Sequence, residues 1–165
     1  MKYLKWFVLA GLIVWAASTA QAQLLMMKNP HIGKPVPEFK VKILSGAETA
    51  LSDFREGKKA IIFFWATWCP HCRAALKELN RDREAIAQKG IKLVIVDVGE
   101  SARDVKSYVN KNKIGLEVFL DEEETLSEQF GIIGVPTFFF VNEAGVVKDV
   151  QHYLPDDYEA ILSAK

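Results

Sequence analysis

The chain has 165 residues, of which half are hydrophobic and a quarter are charged, and its formal net charge is zero. This length suits one domain with a substantial core, and the composition excludes fibrous and intrinsically disordered proteins. Since 21 basic residues balance 21 acidic ones and no arginine-rich block occurs, nucleic-acid binding has no electrostatic support.

The beginning of the chain has a different character from the rest. Two lysines within the first five residues precede an apolar run over residues 6–17, and the small residues of "AQA" end at Ala22. This pattern predicts a signal peptide over residues 1–22 that is cleaved after Ala22, with an uncleaved membrane anchor as the alternative. In both cases we expect residues 23–165 to form a domain in the periplasm or otherwise outside the cytoplasm, and the anchor would hold that domain at the inner membrane.

The first half of the domain predicts strands on either side of one long helix. Residues 36–54 alternate between apolar and polar side chains around turn residues, which predicts an N-terminal hairpin. The apolar run over residues 60–67 predicts a central strand covered on both faces. A helix over residues 70–89 should follow, beginning with a proline and ending at Gly90. Residues 91–98 predict a second buried strand.

The second half continues the alternation of helices and strands. Its predicted elements are a helix opened by the capping-box pair Ser101 and Asp104, a strand over residues 116–120, a helix capped by Asp121 with Glu124 and ending at Gly131, a strand hairpin over residues 137–141 and 146–150, and a closing helix over residues 155–162. Alternating strands and helices followed by a hairpin predict an α/β fold, with a mixed sheet and helices on both faces.

The two cysteines of the chain stand together in the stretch "WCPHC" at residues 68–72. As a structural staple they would close so short a loop that the gain is only about 2 kcal/mol. As a zinc site they lack partners, since zinc usually takes four protein ligands and the other histidines, His31 and His152, are expected to be surface residues. A copper or metal carrier that uses both thiols remains open as an alternative.

The surroundings of the two cysteines favour redox chemistry. A cysteine is nucleophilic as its thiolate, and Cys69 falls just before the predicted helix, whose free N–H groups stabilise an anion. His71 can add positive charge nearby. Cys72 lies one turn into the helix, where it can attack a mixed disulfide on Cys69. The order of strand, C-x-x-C and helix is therefore typical of a dithiol–disulfide couple.

Two longer stretches resemble a known family. "FFWATWCPHC" and the downstream "GVPTFFFV" resemble the thioredoxin superfamily, and "GKPVPEF", "LSDFREGKKAIIFFWATWC" and "VDVGES" are similar to its TlpA/ResA/CcmG branch, the membrane-side thiol reductases of cytochrome c maturation. The similarity covers about residues 33–163. It implies a thioredoxin-like mixed sheet flanked by helices, with an N-terminal hairpin and a central βα insertion between Val98 and Asp121.

The resemblance also implies an activity, thiol-disulfide exchange that reduces protein disulfides without a cofactor or a metal. Cys69 is then the nucleophile and Cys72 the resolving thiol of a redox-active disulfide, with His71 assisting. Pro136 matches the family's cis-proline. The partners implied are protein thiols and disulfides, together with a membrane electron donor. The residues expected to contact substrate are Trp68, Pro70 and Val135.

Several positions depart from the family pattern. Thioredoxin has a buried aspartate where this chain has Phe63, and many TlpA/ResA-type proteins have a glutamate at the position of Ala75. The dipeptide Pro70–His71 is the one found in the oxidant DsbA, so a disulfide-donating oxidant is the alternative direction. The peroxidase relatives need a proline and a threonine where Ile62 and Trp65 stand, so peroxidase chemistry is not expected.

Two acidic residues, one in the predicted strand over residues 91–98 and one in the loop after it, each have two interpretations. Glu100 falls at the strand's carboxyl end, where it is either a proton acceptor for Cys72 or a solvated loop carboxylate. Asp97 interrupts an apolar run, where it is either a buried acid or a residue at the wet end of the strand, and we expect the second. Of the neighbouring tryptophans, Trp65 should be core and Trp68 should lie at the wet edge of the site.

Overall fold

The structure is a computed structural model that describes residues 29–164. The described residues from His31 onward form one compact unit. The predicted signal peptide over residues 1–22 lies outside the described residues. Within the described part of the chain, no helix combines the length and the apolar character that a membrane crossing requires.

Residues 29–164 form seven strands and five helices. In chain order these are β1 Lys40–Lys42, β2 Glu48–Ala50, α1 Leu51–Arg55, β3 Lys59–Trp65, α2 Pro70–Gln88, β4 Ile91–Val98, α3 Ala102–Asn112, β5 Val118–Asp121, α4 Thr125–Gln129, β6 Thr137–Val141, β7 Val147–Gln151 and α5 Tyr158–Ser163.

Five of the strands form one mixed sheet in the order β5-β4-β3-β6-β7, and β1 and β2 form a separate antiparallel hairpin. Strand β3 pairs parallel with β4 and antiparallel with β6. Helix α3 and strand β5 occupy the stretch between Val98 and Asp121 that was expected to hold the central insertion. The predicted thioredoxin-like sheet with an N-terminal hairpin is confirmed.

The sheet buries an apolar core on each face. Along β3, Ile61, Phe63 and Trp65 point to the face covered by α2 and α3, which we call the front face. The alternate side chains, Ile62 and Phe64, point to the back face, which α1 and α4 cover. Since the chain steps from β3 to β4 to β5 in one direction, right-handed crossovers place α2 and α3 on the same face.

The long helix α2 was predicted to within one residue. It begins at Pro70, whose missing N–H costs nothing at a first helical position. After the last helical residue the chain turns through Gly90 with φ +73°, a left-handed conformation that glycine adopts without strain. Helix α3 also begins as predicted, because the Asp104 amide donates a hydrogen bond to Ser101 Oγ at 3.3 Å.

The predicted N-terminal hairpin over residues 36–54 is too long at its end, because residues 51–55 form helix α1. Leu51 is fully buried and Arg55 is 8% exposed, so these two residues, four apart, share the inward side of a helical turn. The Ser52 amide donates to Glu38 Oε1 at 2.8 Å, which satisfies a free N–H group of the helix. Tertiary burial therefore selects helix in a segment whose sequence reads as a turn.

The start of α4 corrects a second prediction. Asp121 does cap this helix, since its carboxylate accepts hydrogen bonds from the amides of Leu126 at 2.9 Å and Ser127 at 2.7 Å. Glu124 makes no side-chain capping bond and instead adopts a left-handed backbone conformation with φ +58°. The preceding strand is also shifted toward the carboxyl end of the chain, to residues 118–121, and so includes Asp121 itself.

Residues 33–44 form a strap that touches both edges of the five-stranded sheet. At one edge, the Gly33 amide donates to the Val147 carbonyl of β7 at 2.8 Å. At the other edge, the Leu44 amide donates to the Val118 carbonyl of β5 at 2.8 Å. Between these points Phe39 is buried in the back-face core. The strap thus crosses the face of the sheet opposite α2.

Candidate active site

The cysteine pair lies at the junction of β3 and α2. Cys69 is the N-cap residue of α2, Cys72 is in its first turn, and the two form a disulfide with their Cα atoms 5.2 Å apart. The Cys72 amide donates a hydrogen bond to Cys69 Sγ at 3.2 Å. A helix amide that already points at this sulfur stabilises a thiolate once the disulfide is reduced.

Both sulfurs are shielded in the disulfide form. Cys69 is 4% exposed and Cys72 is fully buried, so the difference between them is small. We expect that, once the disulfide is reduced, Cys69 is the more exposed and more reactive thiol and Cys72 the more buried one. The flanking residues are more open, because Pro70 and His71 are exposed on the first turn of α2.

The loop before β6 approaches the disulfide from the side. The Val135–Pro136 peptide bond is cis, as the resemblance implied. The Val135 carbonyl oxygen lies 3.8 Å from Cys69 Sγ. Thr137 Oγ1 donates to the Gly134 carbonyl at 2.7 Å, which ties the loop to the start of β6. Four predicted site residues, Cys69, Cys72, Val135 and Pro136, are therefore brought together.

His152 lies on the surface, as expected, but it is also part of this neighbourhood. Although its side chain is exposed, its Nδ1 lies 3.0 Å from the Pro136 carbonyl oxygen and 3.2 Å from Thr137 Oγ1. Sequence reasoning missed this contact because it depends on the pairing of β6 with β7, which brings residue 152 beside residue 136. The imidazole thus helps to hold the cis-proline loop.

His31 differs from the expected surface position. Its ring lies 5.9 Å from the ring of Phe130 and 6.2 Å from the ring of Phe139, on the back face of the sheet. It is far from the disulfide in the fold, since Cys69 and Cys72 belong to the front-face core. Within residues 29–164, no group of three or more metal-binding side chains is assembled.

Among the described residues, the exposed large apolar side chains lie in or next to the segments that form the active site. Trp68, immediately before Cys69, is 67% exposed, as expected for the wet edge of the site. Ile133, in the loop that leads to Pro136, is 95% exposed, and Tyr153, just after His152, is 61% exposed. Exposed large apolar side chains on segments that flank an active site are candidates for contact with a partner.

A groove of about 490 Å³ runs from this surface along one side of α2, and we call it the side groove. Its floor includes the small side chains of Ala74 and Ala75, and Tyr153 stands at its wall. His71 and Pro136 line it at the end nearest the disulfide. Because Ala75 lines the groove, a longer side chain at this position would take up part of its volume.

Glu100 reaches the active-site turn from the opposite side. Its two carboxylate oxygens accept hydrogen bonds from the Thr67 amide at 2.5 Å and from Thr67 Oγ1 at 2.6 Å. Arg73 Nη1 donates to the Thr67 carbonyl at 3.3 Å. Glu100 is therefore more than a solvated loop carboxylate, because it holds the turn that leads into Cys69, and both of its oxygens are bonded to Thr67.

Asp97 is fully buried, so the expectation that it marks a wet strand end is wrong. The reason is the sheet: β4 lies between β3 and β5, where Trp65 and Leu120 are the register partners of Asp97. Among the described residues neither carboxylate oxygen makes a hydrogen bond of good geometry, and the nearest polar group that acts on the carboxyl is Glu100. Burial raises the pKa of Asp97 to about 8, and the negative charge of Glu100 adds to the effect.

The position of Asp97 inside an apolar run already pointed to burial, but the run was interpreted as reaching solvent at this residue. A strand between two parallel neighbours is covered on both faces, so an aspartate inside its apolar run is buried whichever face it points to. Sequence alone did not show that a third parallel strand, β5, covers the far side of β4 at this position. The expectation for Trp65 is confirmed, since its side chain is fully buried beside Asp97.

A thioredoxin-like sheet with a disulfide at the start of the helix after β3, beside a cis-proline, defines a thiol-disulfide oxidoreductase. The chain belongs to the AhpC/TSA family, whose profile matches residues 32–150.

Characterised relatives carry the same activity in their names. The chain is 29% identical over 146 residues to sporulation thiol-disulfide oxidoreductase A of Bacillus subtilis, with 87% of this chain and 84% of that protein covered. It is 31% identical over 117 residues to thiol-disulfide oxidoreductase ResA of Bacillus thuringiensis subsp. konkukian, with 71% and 67% covered.

Solved structures agree with this assignment. A putative thiol:disulfide interchange protein DsbE from Chlorobium tepidum superposes with a TM-score of 0.70 and 26% identity, covering 79% of this chain and 92% of that one. StoA from Bacillus subtilis superposes with a TM-score of 0.64 over 80% of this chain and 97% of its own; at 24% identity it supports the fold.

Proposed function

We propose that this thiol-disulfide oxidoreductase works outside the cytoplasm and reduces disulfides of protein substrates, in a pathway such as cytochrome c maturation. The observation that carries the proposal is the disulfide between Cys69 and Cys72 at the N-terminus of α2, with the cis Val135–Pro136 bond beside it. The ResA and DsbE names of its relatives support the activity, and the signal-peptide pattern of residues 1–22 supports the location.

The proposed cycle moves two electrons to the substrate. In the reduced protein the Cys69 thiolate attacks one sulfur of a substrate disulfide, and the other substrate sulfur leaves as a thiolate that takes a proton from water. Cys72, once deprotonated, attacks Cys69 Sγ in the mixed disulfide. The Cys69–Cys72 bond forms and the second substrate thiol is released. A membrane electron donor then reduces the disulfide again.

The residues around the cysteines have proposed roles in this cycle. His71 adds positive charge near the Cys69 thiolate. The backbone at Val135 and Pro136 offers hydrogen-bonding groups to an extended substrate segment. Trp68 and Pro70, both exposed beside Cys69, contact the substrate surface. The exposed Ile133 and Tyr153 extend this contact surface. A protein substrate is large enough to touch these side chains while it reacts with the disulfide, whereas a small thiol is not.

The opposite direction, donation of the disulfide, is the second candidate. It is favoured by His71 and by the absence of a carboxylate at Ala75, since both stabilise the reduced form and so make the disulfide a stronger oxidant. The reduction potential of the Cys69–Cys72 pair separates the two directions.

The decisive test of the activity uses the two cysteine variants. Reduced wild-type protein should reduce insulin in the presence of a chemical thiol donor, and Cys69→Ser should abolish this activity. Cys72→Ser should retain the first step and accumulate mixed disulfides through Cys69, seen by mass spectrometry under non-reducing conditions. If Cys72 alkylates faster than Cys69 near neutral pH, the assigned roles are wrong.

A further inference from the structure

Asp97 is a buried acid that the cycle above leaves unused. It is fully buried, and neither of its oxygens makes a hydrogen bond of good geometry within residues 29–164, although its carboxyl lies close enough to the side chain and the backbone of Glu100 to interact with both. Its strand neighbour Trp65 is also fully buried, with Nε1 unpaired among the described residues. Buried polar groups are satisfied in the great majority of cases, so two such groups side by side call for a functional explanation.

Strand register places the Asp97 side chain toward the cysteines. Side chains two residues apart on a strand point to the same face, and Ile95 belongs to the front-face core together with Cys69 and Cys72. The register partners of Asp97 on either side, Trp65 and Leu120, belong to the same core. Asp97 therefore faces the same buried space as Cys72, at the carboxyl end of the sheet.

Charged and titratable groups reach this space from each element packed against it. Glu100 follows β4, and its charge acts on Asp97. Asp121 of β5 also acts on Asp97, but its oxygens accept hydrogen bonds from α4. From α2, Arg73 donates to the Thr67 carbonyl. From α3, Tyr108 packs on Trp65 with ring centroids 5.5 Å apart, and burial raises the pKa of Tyr108.

We propose that Asp97 is the acid–base residue of the resolving step, which accepts the thiol proton of Cys72 and returns it when the cycle runs in reverse. This inference rests on the proposed disulfide exchange. Glu100 acts as a positioning residue, since it holds Thr67 and sets the charge around Asp97. A base close to neutrality suits this task, and the raised pKa of Asp97 provides one.

The proton and electron balance of the step is complete. The Asp97 carboxylate takes the proton from Cys72 Sγ, directly or through one water. The Cys72 thiolate then attacks Cys69 Sγ, the bond between Cys69 and the substrate breaks, and the substrate sulfur leaves with the electron pair and is protonated by water. The protonated Asp97 later gives its proton to solvent, or to the Cys72 thiolate when the disulfide is opened again.

The test separates the resolving step from the first attack. Single-turnover kinetics of full-length protein with a disulfide-bonded peptide should be measured between about pH 5.5 and 9.5 for wild type, Asp97→Asn and Glu84→Gln, an exposed carboxylate of α2 that serves as the control. For wild type and for the control, resolution should accelerate up to an inflection near 8. For Asp97→Asn, resolution should be slower by roughly ten- to a hundredfold at pH 7, with no such inflection.

The first attack provides the internal control. In a Cys72→Ser background, alkylation of Cys69 should change by less than about twofold when Asp97→Asn is added, since the substitution acts on the other thiol. A wild-type pH profile for resolution in Asp97→Asn, or equal slowing of both steps, would overturn the inference. The proposed function fails separately, if Cys69→Ser remains active.

A second measurement covers the case in which Asp97→Asn does not fold. In wild-type protein, the infrared band of a protonated carboxylic acid should be present below pH 8, disappear above it, and shift when the disulfide is reduced. A band that is insensitive to the redox state, or the absence of any protonated carboxyl near neutral pH, would count against Asp97 as the proton carrier.

Discussion

At the scale of single residues, we propose that His71 tunes the reduction potential of the cysteine pair. It is exposed on the first turn of α2, two residues after Cys69 and directly before Cys72. Any positive charge it carries stabilises the Cys69 thiolate and so favours the reduced form. Ala75, which replaces a carboxylate of related proteins, removes a charge that would oppose this effect.

We therefore expect a reduction potential between that of thioredoxin, about −270 mV, and that of DsbA, about −120 mV. His71→Ala should lower the potential by roughly 30 mV for each unit of thiolate pKa that the imidazole accounts for. Equilibration of the purified domain against glutathione measures both values, and Lys77→Ala, further along α2, is the control for general loss of positive charge. An unchanged potential in His71→Ala would contradict the assignment.

At the scale of elements, the cap of α4 is the clearest case of one side chain organising a segment. Besides the two amides, Asp121 accepts a bond from Ser127 Oγ at 2.6 Å, all in a buried setting. Asp121→Ala should cost about 2 to 3 kcal/mol in the free energy of unfolding, because it leaves buried N–H groups without a partner. Urea unfolding measures this.

The matched variant for this cap is Glu124→Ala. Glu124 occupies the N-cap position but makes no capping bond, so its replacement should change stability by less than about 0.5 kcal/mol. Equal losses in the two variants would mean that the carboxylate of Asp121 has no special role in starting α4.

The side groove along α2 leads to a second prediction at this scale. Ala74 is exposed on the groove floor, so Ala74→Trp should fill the groove without disturbing the core. We expect the reduction of a protein disulfide to slow by roughly tenfold, equivalent to about 1.4 kcal/mol, while reaction with a small aromatic disulfide stays unchanged. Lys77→Trp adds the same ring elsewhere on α2 and should slow neither reaction. If Ala74→Trp slowed neither, the groove would not be a substrate contact.

How well sequence predicts each element depends on where its signal lies. The bounds of β4 and α2 follow from local patterns, an apolar run for the strand and a proline with a glycine stop for the helix. Helix α1 has no such pattern, since it exists because Leu51 and Arg55 are buried by the back face. The bond of Glu100 to Thr67, 33 residues apart, and the contact of His152 with Pro136 depend on strand pairing that no local pattern contains.

At the scale of the whole molecule, the buried Asp97 links folding to pH. Its pKa is about 8 in the folded protein and near 4 in an unfolded chain. Between these values the unfolded chain releases a proton that the folded protein keeps. The contribution of Asp97 to stability is therefore present below about pH 4 and is lost as pH rises toward 8, by up to about 1.4 kcal/mol per pH unit.

This pH dependence can be isolated with Asp97→Asn. The unfolding free energy of wild type minus that of Asp97→Asn should decrease as pH rises from 4 to 8 and should become constant above pH 8. Denaturant unfolding of both oxidised proteins at several pH values measures it. A difference that stays constant across this range would show that Asp97 is already ionised in the fold.

The predicted signal peptide also belongs to this scale. Exported protein from a bacterial host should begin at Gln23 and be found outside the cytoplasm, which N-terminal sequencing determines. An intact Met1 on membrane-bound protein would show that residues 1–22 are an anchor. In that case the same domain would work at the membrane surface.

The strap formed by residues 33–44 has a consequence for aggregation. The outer strands of an open sheet, here β5 and β7, present unpaired backbone groups to which strands of other chains can add. An enzyme that handles proteins with open disulfides meets incompletely folded chains, whose loose segments are the ones most prone to such pairing. The strap occupies backbone positions on both outer strands. At those positions a substrate chain cannot add to the sheet as an extra strand. Its contact with the enzyme is then directed to the disulfide.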